Sequence, residues 1–117
     1  MSAPQNPIVK WPFGAATVLA LAATGTNALE IYNSLTIVDG VTVAATGNRT
    51  LDLTIDSGVD VGARLLVKTK SAATQTLIPG TGMAGETITG VADKTQVVEY
   101  VYDGTKFVQS GKFIQID

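Results

Sequence analysis

The sequence contains no cysteine and no histidine. The first absence excludes disulfide bonds and thiolate nucleophiles, and the second excludes imidazole as a general base or metal ligand. Most familiar catalytic arrangements are removed in this way, and no other motif in the chain indicates a reaction. We therefore expect no enzyme activity, no catalytic residues, no bound metal and no cofactor.

Charge is also scarce. Asp, Glu, Lys and Arg make up 15% of the 117 residues, against about 25% in typical soluble domains. The net charge of −2 provides no positive field for polyanions, so nucleic acid is not an expected partner. The small apolar run from Ala15 to Ala23 is too short for a transmembrane helix, so no membrane partner is expected. Hydrophobic residues reach 45%, and this combination favours a protein that works in an assembly.

What the chain does contain is β-forming sequence. From Ala28 onward, valine, isoleucine and threonine are frequent, and Gly, Asp, Asn and Pro separate strand-length segments. Apolar and polar residues alternate most clearly from Leu51 to Asp56. Asp39-Gly40 and Asp103-Gly104 are tight-turn dipeptides that predict hairpins. The predicted fold class is all-β, a single β-sandwich or jelly-roll-like domain with an extended N-terminal arm.

One internal echo bears on the topology. Leu35-Thr-Ile-Val-Asp-Gly-Val-Thr-Val resembles Leu53-Thr-Ile-Asp-Ser-Gly-Val-Asp-Val. Because the pattern recurs only once, we interpret it as two similar strand–turn–strand units. A short β-helical or prism-like coil is the alternative.

The N-terminal region differs from the rest. Three of the four prolines lie in residues 1–27, with Trp11, Phe13 and the run from Ala15 to Ala23. We predict a docking arm over residues 1–27 and a β domain over residues 28–117, with Ile8, Trp11 and Phe13 as the partner-binding residues of the arm. The alternatives are an edge strand or short helix of the domain's own core, and a signal peptide.

Two further motifs have ordinary interpretations. The loop Gly80-Thr-Gly-Met-Ala-Gly85 matches a dinucleotide fingerprint, but the β-branched residues after it do not predict the helix that the fingerprint requires. Asp52, Asp56 and Asp60 could surround a turn as calcium ligands, but their spacing lacks the EF-hand order. We expect a surface loop and solvated acids.

Two groups of side chains are predicted at interfaces. Arg64, Lys68 and Lys70 share one face of a strand, either as a solvated, edge-protecting face or as a salt-bridged contact with an acidic neighbour. Tyr100 and Tyr102 share a face with Val98, where they pack in the core or at a subunit interface, or stack on sugars.

A resemblance extends these expectations. The segment from Gly85 to Gly111, above all Val97-Val-Glu-Tyr-Val-Tyr-Asp-Gly-Thr-Lys-Phe-Val, resembles the terminal hairpin of small β-rich bacteriophage virion proteins of the head-decorating, head-fibre and tail-associated types. The resemblance implies a late structural protein that is assembled in the host cytoplasm and located in the virion. It implies a homo-oligomer, most often a trimer, whose arm contacts the major capsid protein or another virion protein.

The expected function is therefore a capsid decoration or head-fibre subunit that binds and stabilises the coat through its N-terminal arm. The alternative is a carbohydrate- or surface-binding β module of a phage or bacterial surface protein, which would use Tyr100, Tyr102 or Trp11 against glycans.

Overall fold

The computed structural model describes residues 16–117, and every regular element within that range is a strand. The strands are β1 (Thr17–Ala20), β2 (Gly25–Ile31), β3 (Leu35–Ala45), β4 (Arg49–Ile55), β5 (Arg64–Ser71), β6 (Thr76–Pro79), β7 (Met83–Ala84), β8 (Ile88–Thr89), β9 (Thr95–Tyr102), β10 (Phe107–Gln109) and β11 (Ile114–Gln115). A seven-stranded sheet has the order β1-β3-β5-β9-β10-β7 with β11 also paired to β9, and a four-stranded sheet has the order β2-β4-β6-β8. The two sheets pack together, which confirms the predicted all-β sandwich.

The first six strands alternate between the two sheets, so the chain winds as a flattened coil. Parallel pairing joins β1 to β3 and β3 to β5 in one sheet, and β2 to β4 and β4 to β6 in the other. Jelly rolls are antiparallel, so this part of the chain has the connectivity of the β-helical alternative. Leu35 and Leu53, which the echo aligns, lie in β3 and β4 of different sheets. The two similar segments are therefore the two strands of one turn of the coil, and they are not equivalent strands of successive turns.

The C-terminal strands close this coil with antiparallel pairing. β9 runs antiparallel to β5, and β10 runs antiparallel to β9. The hairpin predicted at Asp103-Gly104 is confirmed, with Tyr102 opposite Phe107. Gly104 adopts a φ of 102°, which its missing Cβ permits. The carboxylate of Asp103 accepts the backbone N–H groups of Lys106 and Thr105, and these bonds lower its pKa.

The hairpin predicted at Asp39-Gly40 is wrong. β3 continues through this dipeptide to Ala45, and its register against β5 shifts between Gly40 and Ala45. The reason is local, since Oδ1 of Asp39 accepts the N–H groups of Val41 at 2.9 Å and Thr42 at 3.0 Å. Here the turn-forming side chain supports an irregularity within one strand rather than a reversal of the chain.

The sheets also include part of the predicted arm. β1 pairs with β3, and the next strand, β2, begins at Gly25. Leu21, between them, is 2% exposed and belongs to the core. Residues 17–27 therefore form part of the sandwich, as the edge-strand alternative described, and the β body extends N-terminally beyond the predicted boundary at residue 28.

The core lies between the two sheets and follows the period of two along each strand. In β4, Leu51 and Leu53 face inward while Thr54 is exposed, which agrees with the alternation seen in the sequence. Fully buried side chains from both sheets meet there: Ile31, Leu51 and Ile88 from the four-stranded sheet, and Val38, Leu65, Val67, Tyr100 and Phe107 from the seven-stranded sheet. The opposite face of the seven-stranded sheet is left for interactions outside the core.

Candidate interaction surface

The outward side of the seven-stranded sheet presents a band of apolar side chains. Strand register places Val18 beside Ile37 and Ile37 beside Leu66, while Ile114 pairs with Val97 on the far side of β9. We call this set the outer strip: Val18, Ile37, Leu66, Val97 and Ile114. Val18 and Ile114, at its two ends, are each 63% exposed, and the three central residues are partly exposed. Between β5 and β9 the strip runs diagonally, because Leu66 stands opposite Glu99 and Val97 stands opposite Lys68. It thus crosses β1, β3, β5, β9 and β11.

Charged side chains border the strip and are paired within the chain. Arg64 Nη1 lies 3.1 Å from Glu99 Oε2, and Ser110 Oγ lies 3.2 Å from Glu99 Oε1. On the next row, Asp39 stands in register with Lys68. Hydrogen bonds from the Thr42 side chain and nearby backbone N–H groups, with a further contribution from Lys68, lower the pKa of Asp39 to about 2. The apolar strip is therefore bordered by charged side chains that have partners of opposite charge within the same chain.

The basic group predicted on β5 is where the sequence placed it. Arg64, Lys68 and Lys70 all lie on the outward face of this strand. The edge-protecting interpretation is wrong, because β5 is paired on both sides, to β3 and to β9. Acidic partners of Arg64 and Lys68 come from the same chain, so neither cation needs an acidic neighbour molecule for charge balance.

A shallow groove of about 240 Å³ lies at the β11 end of the strip. Leu66, Val97 and Ile114 give it an apolar floor, and Glu99, Ser110 and Lys112 stand around it. Lys112 Nζ is held by Glu86 Oε1 at 2.9 Å. The volume is below the range of about 300–1,000 Å³ typical of small-molecule sites. The groove is better suited to receive a side chain of another protein than to enclose a ligand.

The two predicted tyrosines belong mainly to the core. Tyr100 is 0% exposed, and burial raises its pKa to about 12, with a further contribution from the Glu86 carboxylate. Tyr102 is partly buried, its ring centroid is 5.1 Å from that of Phe107, and its hydroxyl donates to the carbonyl of Gly104. Tyr100 therefore has no surface to offer a partner or a sugar, and Tyr102 has a limited one.

Arg49 is the residue of greatest consequence that the sequence interpretation missed. Arg49 opens β4 and is 0% exposed, although arginine is rarely fully buried. Its guanidinium donates to acceptors from the successive coils: the carbonyls of Ala22, Gly40, Val43 and Lys70 and the hydroxyl of Thr69. Burial lowers its pKa, and the charge of Asp39 opposes that shift. The sequence does contain a signal for the burial of Arg49, since this residue is in phase with the inward-facing Leu51 and Leu53.

The remaining motifs are not brought together as a chemical site. No group of three or more acidic side chains suited to a metal ion occurs within residues 16–117. Asp52 accepts the N–H of Thr81, and Asp56 accepts that of Gly58. The segment from Gly80 to Gly85 contains β7 and is followed by β8 rather than by a helix. Across the described residues there is no helix long and apolar enough to cross a membrane.

The arm residues Ile8, Trp11 and Phe13 lie outside the described residues. No protein-family model matches the chain, and no curated protein or solved structure matches it either. The outer strip, the charges beside it and the groove at its β11 end are therefore the features from which a function is proposed.

Proposed function

We propose that the protein is a structural component of a virion, a capsid decoration or head-fibre subunit that forms a homo-oligomer and stabilises the coat. The observation that carries this proposal is the outer strip, an apolar band across five strands whose neighbouring charges are balanced within the chain. Contiguous apolar surface of this kind marks interaction sites in soluble proteins. The resemblance of the segment from Gly85 to Gly111 to phage virion proteins supplies the biological setting.

The mechanism is geometric rather than chemical. Covering a mostly exposed apolar side chain such as Val18 or Ile114 contributes about 1–2 kcal/mol per contact. Such a contribution is small for one copy. In a symmetric oligomer, the first contact raises the effective concentration of the others, so several modest contacts hold the subunits to a shell.

The coat partner is proposed to be the major capsid protein or another virion protein, as the resemblance implies. In this proposal Ile8, Trp11 and Phe13 act as the anchor to the coat. The protein would be made in the host cytoplasm and located in the virion.

The carbohydrate-binding alternative is less well supported. Sugar stacking needs an exposed aromatic face, whereas Tyr100 is 0% exposed and Tyr102 packs against Phe107. The two tyrosines of that alternative are thus largely used inside the fold, and its third aromatic residue, Trp11, lies outside the described residues.

The test uses the full-length chain and shells assembled from the major capsid protein of the same phage genome. Wild-type protein should co-sediment with the shells at a fixed ratio and raise the temperature at which they dissociate. Ile114→Lys, at the 63% exposed end of the strip, should fold normally but bind less. Val61→Lys is the matched control, because Val61 is 72% exposed and lies in the loop before β5, outside the strip.

Two results would count against the proposal. Failure of the wild-type protein to bind shells would remove the virion assignment. Equal binding by Ile114→Lys and Val61→Lys would remove the outer strip from the contact.

A further inference from the structure

The coil ends in edge strands on both sides. At the C-terminal end these edges are short, because β7 and β8, the last strands of the two sheets, have two residues each. At the other end, β1 pairs with β3 and β2 pairs with β4, and neither has a second neighbour among the described strands. β2 is the longer of these two edges, at seven residues.

The backbone direction of β2 identifies the groups at its open edge. The N–H of Gly25 donates to the carbonyl of Asn48 at 2.9 Å, and the carbonyl of Ile31 accepts the N–H of Asp56 at 2.8 Å. Odd-numbered residues of β2 therefore direct their polar groups toward β4. Because direction alternates along a strand, the N–H and C=O groups of Thr26, Ala28 and Glu30 point away from the sheet.

This edge lacks most of the features that usually prevent strand pairing. Natural edges are protected by lysine, by proline, by bulges or by being very short. The segment Gly25–Ile31 contains no proline, lysine or arginine, and its pairing with β4 is continuous over all seven residues. Its single charge is Glu30, close to one end. The centre of the open edge is Ala28, whose side chain is small and exposed.

We propose that β2 pairs antiparallel with β2 of a second copy of this chain, about a two-fold axis at Ala28. This register places Ala28 opposite Ala28 of the partner subunit and Thr26 opposite Glu30 of the partner subunit. All three outward-facing residues on each strand are used, so their N–H and C=O groups all find partners. Each carboxylate faces a hydroxyl rather than another carboxylate. An axis at Glu30 would instead oppose two like charges, which is unfavourable.

The pairing joins the two four-stranded sheets into one continuous sheet and uses the same surface on both subunits, as a two-fold interface requires. It goes beyond the proposed function, which assigns no interface to the homo-oligomer and rests on contact with a coat through the outer strip.

The direct test is a single cysteine at the axis. Because the natural sequence has no cysteine, Ala28→Cys provides one thiol per full-length chain. Directly opposed residues in a hydrogen-bonded antiparallel pair have Cα atoms about 5.5 Å apart, which lies within the usual disulfide range of about 4.4–6.8 Å. On mild oxidation, most of this variant should run as a covalent dimer. Thr54→Cys, an exposed position on the neighbouring strand β4, should remain a single chain.

A second variant tests the same pairing by charge. Ala28→Lys places two ammonium groups opposite each other at the axis, while Asp52, in register on β4, offers each one a partner within its own chain. Light scattering should show an even number of chains for the wild type and half that mass for Ala28→Lys. Circular dichroism should show that the variant keeps its fold.

The proposal would be overturned by a wild-type protein with one chain or an odd number of chains in solution. It would also be overturned if Ala28→Cys gave no covalent dimer and Ala28→Lys left the mass unchanged, which includes the case in which other residues of the same chain cover the edge. Any of these results would leave the shell-binding test of the outer strip unaffected.

Discussion

Replacing Arg49 by methionine should destabilise the fold by about 3–5 kcal/mol, because buried acceptors lose their charged donor and each unsatisfied buried group costs about 1–3 kcal/mol. Three of its hydrogen bonds are short, at 2.9 Å, to the carbonyls of Val43 and Gly40 and the hydroxyl of Thr69. Two longer bonds, of 3.2 and 3.3 Å, reach Ala22 and Lys70. A hydrogen bond to a charged group contributes about 1.5–3 kcal/mol, so the three short bonds alone can account for the loss after the guanidinium's desolvation is subtracted.

Methionine is an informative replacement because it keeps an unbranched apolar stem and removes the charge. Some buried ion pairs can be exchanged for apolar residues without loss, because both partners are removed together. Here most acceptors are backbone carbonyls, which no substitution removes. The stability of small domains is about 5–15 kcal/mol, so the expected loss is a large part of the total.

Two milder variants should lose less stability than Arg49→Met. Arg49→Lys keeps the charge but offers three donors from one atom, so we expect a loss of about 2–3 kcal/mol. Thr69→Val removes one acceptor and keeps the shape of the side chain, so we expect a loss of about 1 kcal/mol.

The assay is urea unfolding followed by far-UV circular dichroism, with the free energy taken from the midpoint and slope. The wild type and all three variants should share one slope. A loss below about 1 kcal/mol for Arg49→Met would refute the reasoning, since it would mean that the carbonyls around the guanidinium find water or other partners at little cost.

Two further predictions concern Asp39 and its neighbour. The pKa of Asp39 is lowered from 3.8 to about 2, so its contribution to stability is present above pH 4 and is lost as the pH falls toward 2. Urea unfolding at several pH values should therefore show that the free energy of unfolding of Asp39→Asn depends less on pH between 4 and 2 than that of the wild type. An unchanged pH dependence would exclude Asp39 as its source. A Cβ on Gly40 would lie 2.8 Å from the carbonyl of Lys68 and 3.0 Å from Nη2 of Arg49, so Gly40→Ala should cost about 1–3 kcal/mol, whereas Gly111→Ala, with open space around it, should be nearly neutral in the same assay.

Several strands could be located from the local sequence pattern alone. Alternation located β4, β-forming residues located β9, and Asp103-Gly104 located the hairpin after it. The outward direction of Arg64, Lys68 and Lys70 also followed from the period of two. These features depend on neighbours in the chain, which the sequence shows directly.

The Asp39-Gly40 dipeptide shows where such signals become ambiguous. An aspartate that accepts backbone N–H groups two and three residues later stabilises a bend equally well in a hairpin and in an irregular strand. Only the pairing of β3 with β5 on both sides of the bend decides between them. Leu29, Ile31, Leu35 and Ile37 also follow a period of two, yet they are divided between β2 and β3, which lie in different sheets.

The sequence by itself determined that the chain is all-β, poor in charge and without cysteine or histidine chemistry. The tertiary structure alone decided that the first six strands wind as a parallel coil, that Arg49 joins successive coils from inside, and that β2 has no second neighbour among the described strands. The physical reason is that the backbone hydrogen bonds of a strand are the same for any partner. Which strand takes up those bonds depends on packing between residues far apart in sequence, so the partner of each strand appears only in the folded chain.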